Sequence, residues 1–254
     1  MSESYPLPAI PAAKSAIGDE LLYLLFARRS LRHFFDHVWM QSVGSLPAKG
    51  QGPFIFYLTH TSWWDGYIMM LIHRLALGRA FDSYLMQEEK QLRAYRFFTW
   101  CGAFSVNRHN PKDAARSLRY AANLLRGGKD RALYIFPQGK IAHSDQRPMI
   151  TYPGVARIIA LTGDVTLCPV ALRYEFLGQQ WPHAFIRIGP THRPTNPADM
   201  KSTLAEITRG LTAASDALRD DVVAGRIDRF RPLLCGRQGI DKTFDAFLRM
   251  IRRA

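Results

Sequence analysis

Short apolar runs alternate with longer amphipathic segments between residue 53 and residue 223. Short apolar runs bounded by Gly, Pro or Asn are typical of buried strands, whereas apolar positions spaced three and four apart predict helices. Strands are predicted near residues 53–58, 83–87, 103–107, 132–136, 166–173 and 184–188. Helices are predicted near residues 63–77, 90–99, 112–126, 153–162 and 199–223. The alternation predicts an α/β fold: a mostly parallel twisted sheet covered by helices on both faces, with later strands antiparallel.

The N-terminal part of the chain has an amphipathic pattern of its own. An apolar run over residues 21–27 leads into Arg28 and Arg29. The apolar residues that follow at helical spacing are Leu31, Phe34, Phe35, Val38 and Trp39. Such a helix suits either a protein core or a membrane interface. No apolar run reaches the ~18–20 residues that span a bilayer, and the first residues do not resemble a secretory signal.

A histidine and an aspartate follow the first predicted strand of this alternation. His60 lies just past the carboxyl end of the strand, where open α/β sheets usually bind ligands, and Asp65 falls in the first turn of the next helix. A carboxylate that holds one imidazole nitrogen leaves the other free to take a proton from a hydroxyl group. The alternative is that His60 is a buried structural histidine and Asp65 a first-turn acid near the helix dipole.

Two further segments bring polar groups to the same edge of the predicted sheet. Residues 101–108 form a short apolar strand that ends in Arg108, and residues 133–140 form a strand that runs into a Pro/Gly turn. The turn residues are Phe136, Pro137, Gln138, Gly139 and Lys140. A third strand, residues 167–172, carries a proline near its start.

Taken in order, these segments resemble the glycerolipid acyltransferases, the group that contains the lysophosphatidic acid acyltransferases. The family blocks are H-x4-D, a glycine-to-arginine block, F-P-E-G and a V-P-V-like strand. They correspond here to His60 to Asp65, residues 102–108, residues 136–139 and residues 168–170. By this resemblance His60 is the base that deprotonates the acceptor hydroxyl, Asp65 is its partner, and Arg108 holds an anionic head group. The turn residues 136–140 would then line the substrate site.

The third block departs from the family pattern. Gln138-Gly139-Lys140 stands where the family usually carries Glu, Gly and a hydroxyl residue, so a negative charge is missing and a positive one is added. This change favours an unusual acceptor, such as a glycolipid or a hydroxylated or glycosylated isoprenoid. Alternatively, Gln138 simply preserves the turn and one hydrogen bond.

A second His/Asp pair, His109 and Asp113, resembles the motif of a different acyltransferase superfamily but lacks its supporting residues. Pro111 suits the first turn of the helix that follows, so Asp113 is expected to be an ordinary acid at a helix N-terminus.

The charge and cysteine content narrow the expected partners. With 34 Lys and Arg against 21 Asp and Glu, the chain has a net charge of +13. This charge predicts attraction to nucleic acid, an anionic membrane surface or a phosphorylated cosubstrate such as coenzyme A. Nucleic acid is not expected, because the basic residues are dispersed and no nucleic-acid module is recognisable. The three cysteines, Cys101, Cys168 and Cys235, are odd in number and widely spaced, which argues against a disulfide framework or a zinc site.

The predicted activity is transfer of a fatty acyl group from acyl-CoA or acyl carrier protein to the hydroxyl of a lysophospholipid or glycerol-phosphate lipid, without metal or cofactor. The backbone amides of the Gly139 turn or of the helix start are reasonable donors to the oxyanion. The enzyme is expected to lie peripherally on the cytoplasmic face of the membrane. The alternatives are an acyltransferase for a non-glycerol acceptor and a non-catalytic, basic membrane-binding protein.

Three parts of the chain are predicted from these patterns. Residues 1–45 would be an N-terminal helical membrane-associating segment, residues 46–225 the catalytic domain, and residues 226–254 a basic C-terminal helical tail. At 254 residues and 47% hydrophobic content, the chain can bury one sizeable core.

Overall fold

The computed structural model describes residues 7–237 and residue 239. Its strands are β1 (His37–Ser42), β2 (Phe54–Leu58), β3 (Asp82–Glu88), β4 (Ala103–Val106), β5 (Arg131–Ile135), β6 (Thr166–Glu175), β7 (His183–Ile188) and β8 (Arg231–Cys235). Its α-helices are α1 (Ala16–Leu21), α2 (Arg29–Phe34), α3 (Asp65–Leu71), α4 (Glu89–Ala94), α5 (Pro111–Arg126), α6 (Gly154–Thr162) and α7 (Met200–Val223). Wider π-helical turns, Leu22–Arg28 and Ile72–Ala76, join α1 to α2 and extend α3. Two 3₁₀ segments, Arg96–Cys101 and Ile227–Arg229, complete the helical elements of the described residues.

The strands form one sheet in the order β4-β3-β5-β2-β6-β7-β1-β8. From β4 to β6 all neighbours are parallel, β7 pairs antiparallel with β6, and β8 pairs antiparallel with β1. The predicted α/β architecture is therefore confirmed, with the mixed pairing confined to one half of the sheet. All six predicted strands are present, and the predicted helices match except that residues 90–99 divide into α4 and a 3₁₀ segment.

The strand β2 lies in the middle of the sheet and consists of a continuous apolar run. All five of its residues are buried. Phe54, Phe56 and Leu58 pack into the core on the side of the N-terminal helices and α3, while Ile55 and Tyr57 pack into the core beside α5, α6 and α7. Because both faces of such a strand are buried, its sequence is apolar throughout and does not alternate between apolar and polar residues.

Two parts of the chain predicted as helical are strands. The N-terminal helix ends at Phe34, and residues 37–42 form β1, with Val38 and Met40 both 1% exposed. Val38 and Trp39 happened to continue the helical spacing, but β1 pairs with β7 and β8 and so belongs to the sheet. Residues 1–45 are therefore not one helical segment. In the predicted C-terminal helical tail, residues 231–235 form β8, while residue 238 and residues 240–254 lie outside the described residues.

The N-terminal helix, α1 through α2, is attached to the helix that carries Asp65. The Arg74 side chain, 2% exposed, donates to Asp19 at 2.6 Å and to Glu20 at 2.8 Å. Its guanidinium also lies 4.3 Å from the ring centre of Tyr23. These buried contacts fix the N-terminal helix against one face of the domain.

Candidate active site

The His60/Asp65 pair lies where strand β2 ends and α3 begins. Nδ1 of His60 lies 2.8 Å from Oδ2 of Asp65, and the Asp65 side chain is completely buried while that of His60 is 25% exposed. Thr59 holds the chain to β6, because its N–H donates to Val170 O and its hydroxyl accepts from Leu172 N. The predicted geometry is thus present: a buried carboxylate holds one imidazole nitrogen and the ring edge reaches solvent.

The Asp65 carboxylate has further partners besides His60. The backbone N–H groups of Thr61 and Ser62 donate to Oδ2 at 2.7 and 3.0 Å, and the Tyr174 hydroxyl donates to Oδ1 at 2.6 Å. Burial, together with the neighbouring Asp65 charge, raises the pKa of Tyr174 well above its ordinary value. Tyr174 was not predicted, because it lies on β6, 109 positions from Asp65, and nothing in the local sequence marks it.

Gln138 of the third block connects the two strand ends. It is 6% exposed, and its Oε1 accepts the backbone N–H of His60 at 2.5 Å. The N–H of Ala142 donates to the His60 carbonyl at 2.9 Å, so His60 is held on both sides of its backbone by the loop after β5. The amide of Gln138 therefore does preserve one hydrogen bond, which a Glu at this position could also accept.

Phe136 supplies one wall of the site. Its ring stacks on the imidazole of His60, with ring centroids 4.4 Å apart and an interplanar angle of 27°. Pro137 is buried, and its carbonyl accepts the N–H of Tyr152 at 2.8 Å, which fixes the turn. Lys140 is exposed at the far end of the same turn.

Arg108 meets this turn from the neighbouring part of the sheet. Gly139 has a φ of +64°, and a Cβ there would lie 2.9 Å from Nη1 of Arg108, so only glycine fits without displacing the guanidinium. Nε of Arg108 donates to Glu88 Oε2 at 2.7 Å, while 43% of the Arg108 side chain stays exposed. The structure thus brings together His60, Asp65, Gln138, Gly139 and Arg108 at the carboxyl edge of the parallel strands.

Three of the amides that were expected to stabilise an oxyanion already have partners. Those of Thr61 and Ser62 donate to Asp65, and the N–H of Gly139 donates to the Phe136 carbonyl at 3.0 Å. A donor to the oxyanion must point at the reacting atom, so these three amides do not have that role, and the oxyanion site stays a prediction.

The second His/Asp pair has other partners. His109 is exposed and its N–H donates to Asn107. Asn110 caps the helix α5, and the Asp113 carboxylate lies 3.7 Å from Arg116 in the first turn. Asp113 is an ordinary acid at a helix N-terminus, as predicted.

None of the three cysteines is in a disulfide. Burial raises the pKa of the Cys101 thiol and that of the Cys168 thiol to about 12 each, so neither forms a thiolate readily. A thiolate nucleophile from these residues is therefore disfavoured.

One group of side chains within the described residues has the composition of a metal site: Asp36, His37 and His183, whose ligand atoms all lie within 4.8 Å of one another. These atoms already have partners, since His37 Nδ1 contacts Asp36 Oδ1 and the Trp39 indole donates to His183 Nδ1 at 3.1 Å. The group lies at the start of β1 and β7, and His183 packs beside Phe185 on the α7 face, whereas α3 covers the opposite face. That the reaction needs no metal stays a prediction.

A cavity of about 270 Å³ lies between the N-terminal helix, α3 and the first residues of β3. Its lining includes Met69, Met70, His73, Ser83 and Tyr134, and none of the site residues predicted from the sequence. Burial lowers the pKa of His73 to about 4, so this histidine is neutral at physiological pH. The predicted site is instead the open carboxyl edge around His60.

The fold and this edge define an α/β domain with a histidine–aspartate pair between a parallel strand and a helix. The model of the acyltransferase family matches residues 16–173, over half of the chain, and the protein belongs to that family. It is therefore an acyltransferase. The structure is similar to the crystal structure of PlsC, the 1-acyl-sn-glycerophosphate (LPA) acyltransferase from Thermotoga maritima, with 17% sequence identity and a TM-score of 0.48. That alignment covers 77% of this chain and 78% of PlsC. A comparison with curated proteins finds no match.

Proposed function

We propose that the protein transfers a fatty acyl group from a thioester, acyl-CoA or acyl carrier protein, to the hydroxyl of a lysophospholipid or glycerol-phosphate lipid at a membrane surface. The observation that carries the proposal is the contact between His60 Nδ1 and the buried Asp65 carboxylate, 2.8 Å apart. Since Nδ1 is held by Asp65, Nε2 is the nitrogen that accepts the proton of the acceptor hydroxyl.

The reaction then runs without a protein nucleophile. As Nε2 of His60 takes the proton, the acceptor oxygen attacks the thioester carbonyl and forms a tetrahedral intermediate. The carbon–sulfur bond breaks, and the thiolate leaves with the proton that the imidazolium returns. The charged imidazolium is stabilised by the Asp65 carboxylate, which stays ionised throughout. Stacking of Phe136 on His60 keeps the ring in the plane that this proton transfer requires.

The anionic head group of the acceptor would bind to Arg108. Glu88 engages Nε of Arg108, so the Nη edge beside Gly139 remains for a phosphate, which a guanidinium can hold through two parallel hydrogen bonds. Lys140, exposed on the same turn, adds a second positive charge. The two cations favour a phosphate-bearing acceptor.

The N-terminal helix supports membrane binding. No helix among the described residues is long and apolar enough to cross a bilayer. The N-terminal helix instead has an exposed outer face, on which each side chain is between 42% and 76% exposed. This outer face consists of Ile17, Leu21, Leu24, Leu25, Phe26 and Phe34. Arg28, Arg29 and Arg32 are exposed on the same helix. An apolar helix face beside basic residues suits peripheral binding to an anionic membrane, and the cytoplasmic leaflet has that charge.

This outer face is continuous with the active site. The Phe34 ring lies 5.4 Å from that of Trp64, the residue before Asp65, and Trp63, 67% exposed, lies 5.2 Å from Trp64. A helix resting in the lipid interface would therefore place the His60 edge close to acceptor molecules in the bilayer.

A non-glycerol acceptor is the weaker candidate. It was favoured by Gln138 and Lys140, but Gln138 is used to hold the His60 backbone. We therefore retain the glycerol-phosphate acceptor.

The experiment that tests the proposal is a thiol-release assay with acyl-CoA and acyl carrier protein donors. The acceptors would be lysophosphatidic acid, a glycolipid and a hydroxylated isoprenoid. Release that depends on lysophosphatidic acid and falls at least ~1,000-fold in His60→Ala is the expected result, since the base acts directly in the reaction. The control is His109→Ala, which removes an exposed histidine from the discarded pair and should keep wild-type activity.

Other outcomes would contradict specific parts of the proposal. Wild-type turnover by His60→Ala would refute the general-base mechanism. Release with the glycolipid or isoprenoid alone would replace the acceptor class, and vesicle binding without release from either donor would support a non-catalytic role.

A further inference from the structure

We propose that Tyr174 is a positioning residue for acyl transfer: its hydroxyl holds the Asp65 carboxylate in the orientation that His60 requires. The inference rests on the proposed role of His60 as the base. Tyr174 lies one residue beyond the part of the chain that the family model matches, residues 16–173, and outside the four sequence blocks.

The two carboxylate oxygens of Asp65 have different numbers of hydrogen-bond partners. Oδ2 lies within hydrogen-bond distance of three groups, the Nδ1 of His60 and the amides of Thr61 and Ser62. Oδ1 accepts the Tyr174 hydroxyl at 2.6 Å, and no other donor to Oδ1 is found among the described residues. A fully buried carboxylate stays charged only when its oxygens accept hydrogen bonds. Tyr174 therefore supplies the hydrogen bond to Oδ1, which the residues next to Asp65 in the sequence do not provide.

The phenol of Tyr174 is fixed by the sheet and by an aromatic neighbour. Tyr174 pairs with Ala184 in the antiparallel β6–β7 ladder, so its backbone cannot slide relative to the active-site edge. The Phe35 ring, 1% exposed, lies 5.8 Å from the Tyr174 ring and 5.2 Å from that of Trp64. These contacts aim the hydroxyl at Asp65 from across the sheet.

The hydroxyl also acts as a donor over the whole working pH range. Burial and the charge of Asp65 raise the pKa of Tyr174, so the group remains protonated well above neutral pH. A neutral phenol is a far weaker base than an imidazole, so Tyr174 does not compete with His60 for the proton of the acceptor. Tyr174 thus acts through Asp65 and His60.

The test is Tyr174→Phe, which removes the hydroxyl and keeps the ring. The matched control is Tyr57→Phe: Tyr57 also lies on a central strand and is fully buried there, whereas Tyr174 is half-buried, and the Tyr57 hydroxyl has no hydrogen-bond partner among the described residues. Because hydrogen bonds to charged groups are the strong ones, Tyr174→Phe should lower kcat roughly 10- to 100-fold with KM changed less than about threefold. Tyr57→Phe should keep both constants close to those of the wild type.

A spectroscopic readout separates positioning from a merely structural role. Without the Tyr174 donor, the charge on Asp65 is less delocalised toward Oδ1, which changes the hydrogen bond between Oδ2 and the His60 imidazole. Independently of turnover, the downfield NMR resonance of the His60 Nδ1 proton should shift or broaden in Tyr174→Phe alone.

Three results would overturn the inference. They are wild-type kcat in Tyr174→Phe, equal losses in the two Phe variants, and an unchanged His60 Nδ1 resonance. Failure of the proposed function looks different, because then wild-type enzyme shows no acceptor-dependent thiol release or His60→Ala retains it.

Discussion

Two surfaces of the domain differ in how their side chains are satisfied: the carboxyl edge of the parallel strands and the outer face of the N-terminal helix. At the edge, Asp65 is completely buried and its carboxylate is surrounded by donors from His60, Thr61, Ser62 and Tyr174. On the helix, Ile17 is 76% exposed and Leu25 is 54% exposed, with nothing in the described chain to cover them. The polar groups of the first region find their partners within the protein, whereas we propose that lipid covers the apolar side chains of the second.

The difference follows from what each region must do. Proton transfer needs groups whose positions are fixed before the substrate arrives, which a rigid sheet edge provides. A membrane-binding face needs apolar surface that remains available until lipid covers it, which a helix held from its inner side provides. The Arg74 contacts with Asp19 and Glu20 connect the two regions, so the proposed membrane contact at the helix would also fix the orientation of the edge.

The largest effect is expected at the edge, from Asp65→Asn. An amide would donate to His60 or hold it in the wrong tautomer, so kcat should fall ~1,000- to 10,000-fold, as for carboxylates with this role in other triads. Vesicle binding should not change, because the outer face of the N-terminal helix is untouched. The control is Asp113→Asn, the same substitution at a half-buried position in the first turn of α5. Retention of more than a tenth of the activity by Asp65→Asn would show that the pair is not catalytic.

The second, smaller effect is expected on the helix, from the double variant Leu24→Glu and Leu25→Glu. Each leucine transferred into lipid contributes about 1.5–3 kcal/mol, so binding to anionic vesicles should weaken at least ~100-fold. Activity on a short-chain acceptor in solution should persist, since the site is complete without the membrane. Val223→Glu is the control, because Val223 is 75% exposed on α7, on the other face of the sheet. Equal vesicle binding by the double variant and the wild type would show that the helix is not part of the membrane-binding surface.

The smallest effect should come from Gln138→Glu. A carboxylate oxygen can accept the His60 N–H as the amide oxygen does, and Arg108 near Gly139 offsets the added charge. Steady-state kinetics should give kcat/KM within about fivefold of the wild type and an unchanged order of acceptors. A switch of acceptor preference would instead mean that residue 138 selects the substrate.

The sequence determined the parts of the protein that depend on neighbouring positions. Buried strands such as β2 and capped helices such as α5 are predictable, because their apolar spacing and cap residues act over a few positions. His60 and Asp65 were found for the same reason, since the strand end and the first helix turn are adjacent in the chain. The sequence blocks also named Arg108 and the 136–140 turn, and the structure brings Arg108 against Gly139.

Other features depend on contacts between residues that are far apart in the chain. Strand β1 fits helical spacing locally, and pairing with β7 and β8 makes it a strand, because interstrand hydrogen bonds and burial outweigh local propensity. Tyr174 reaches Asp65 across 109 positions, and Gln138 reaches His60 across 78. Periodicity reports only which side of an element is buried, so partners supplied by distant strands become visible once the sheet order is known.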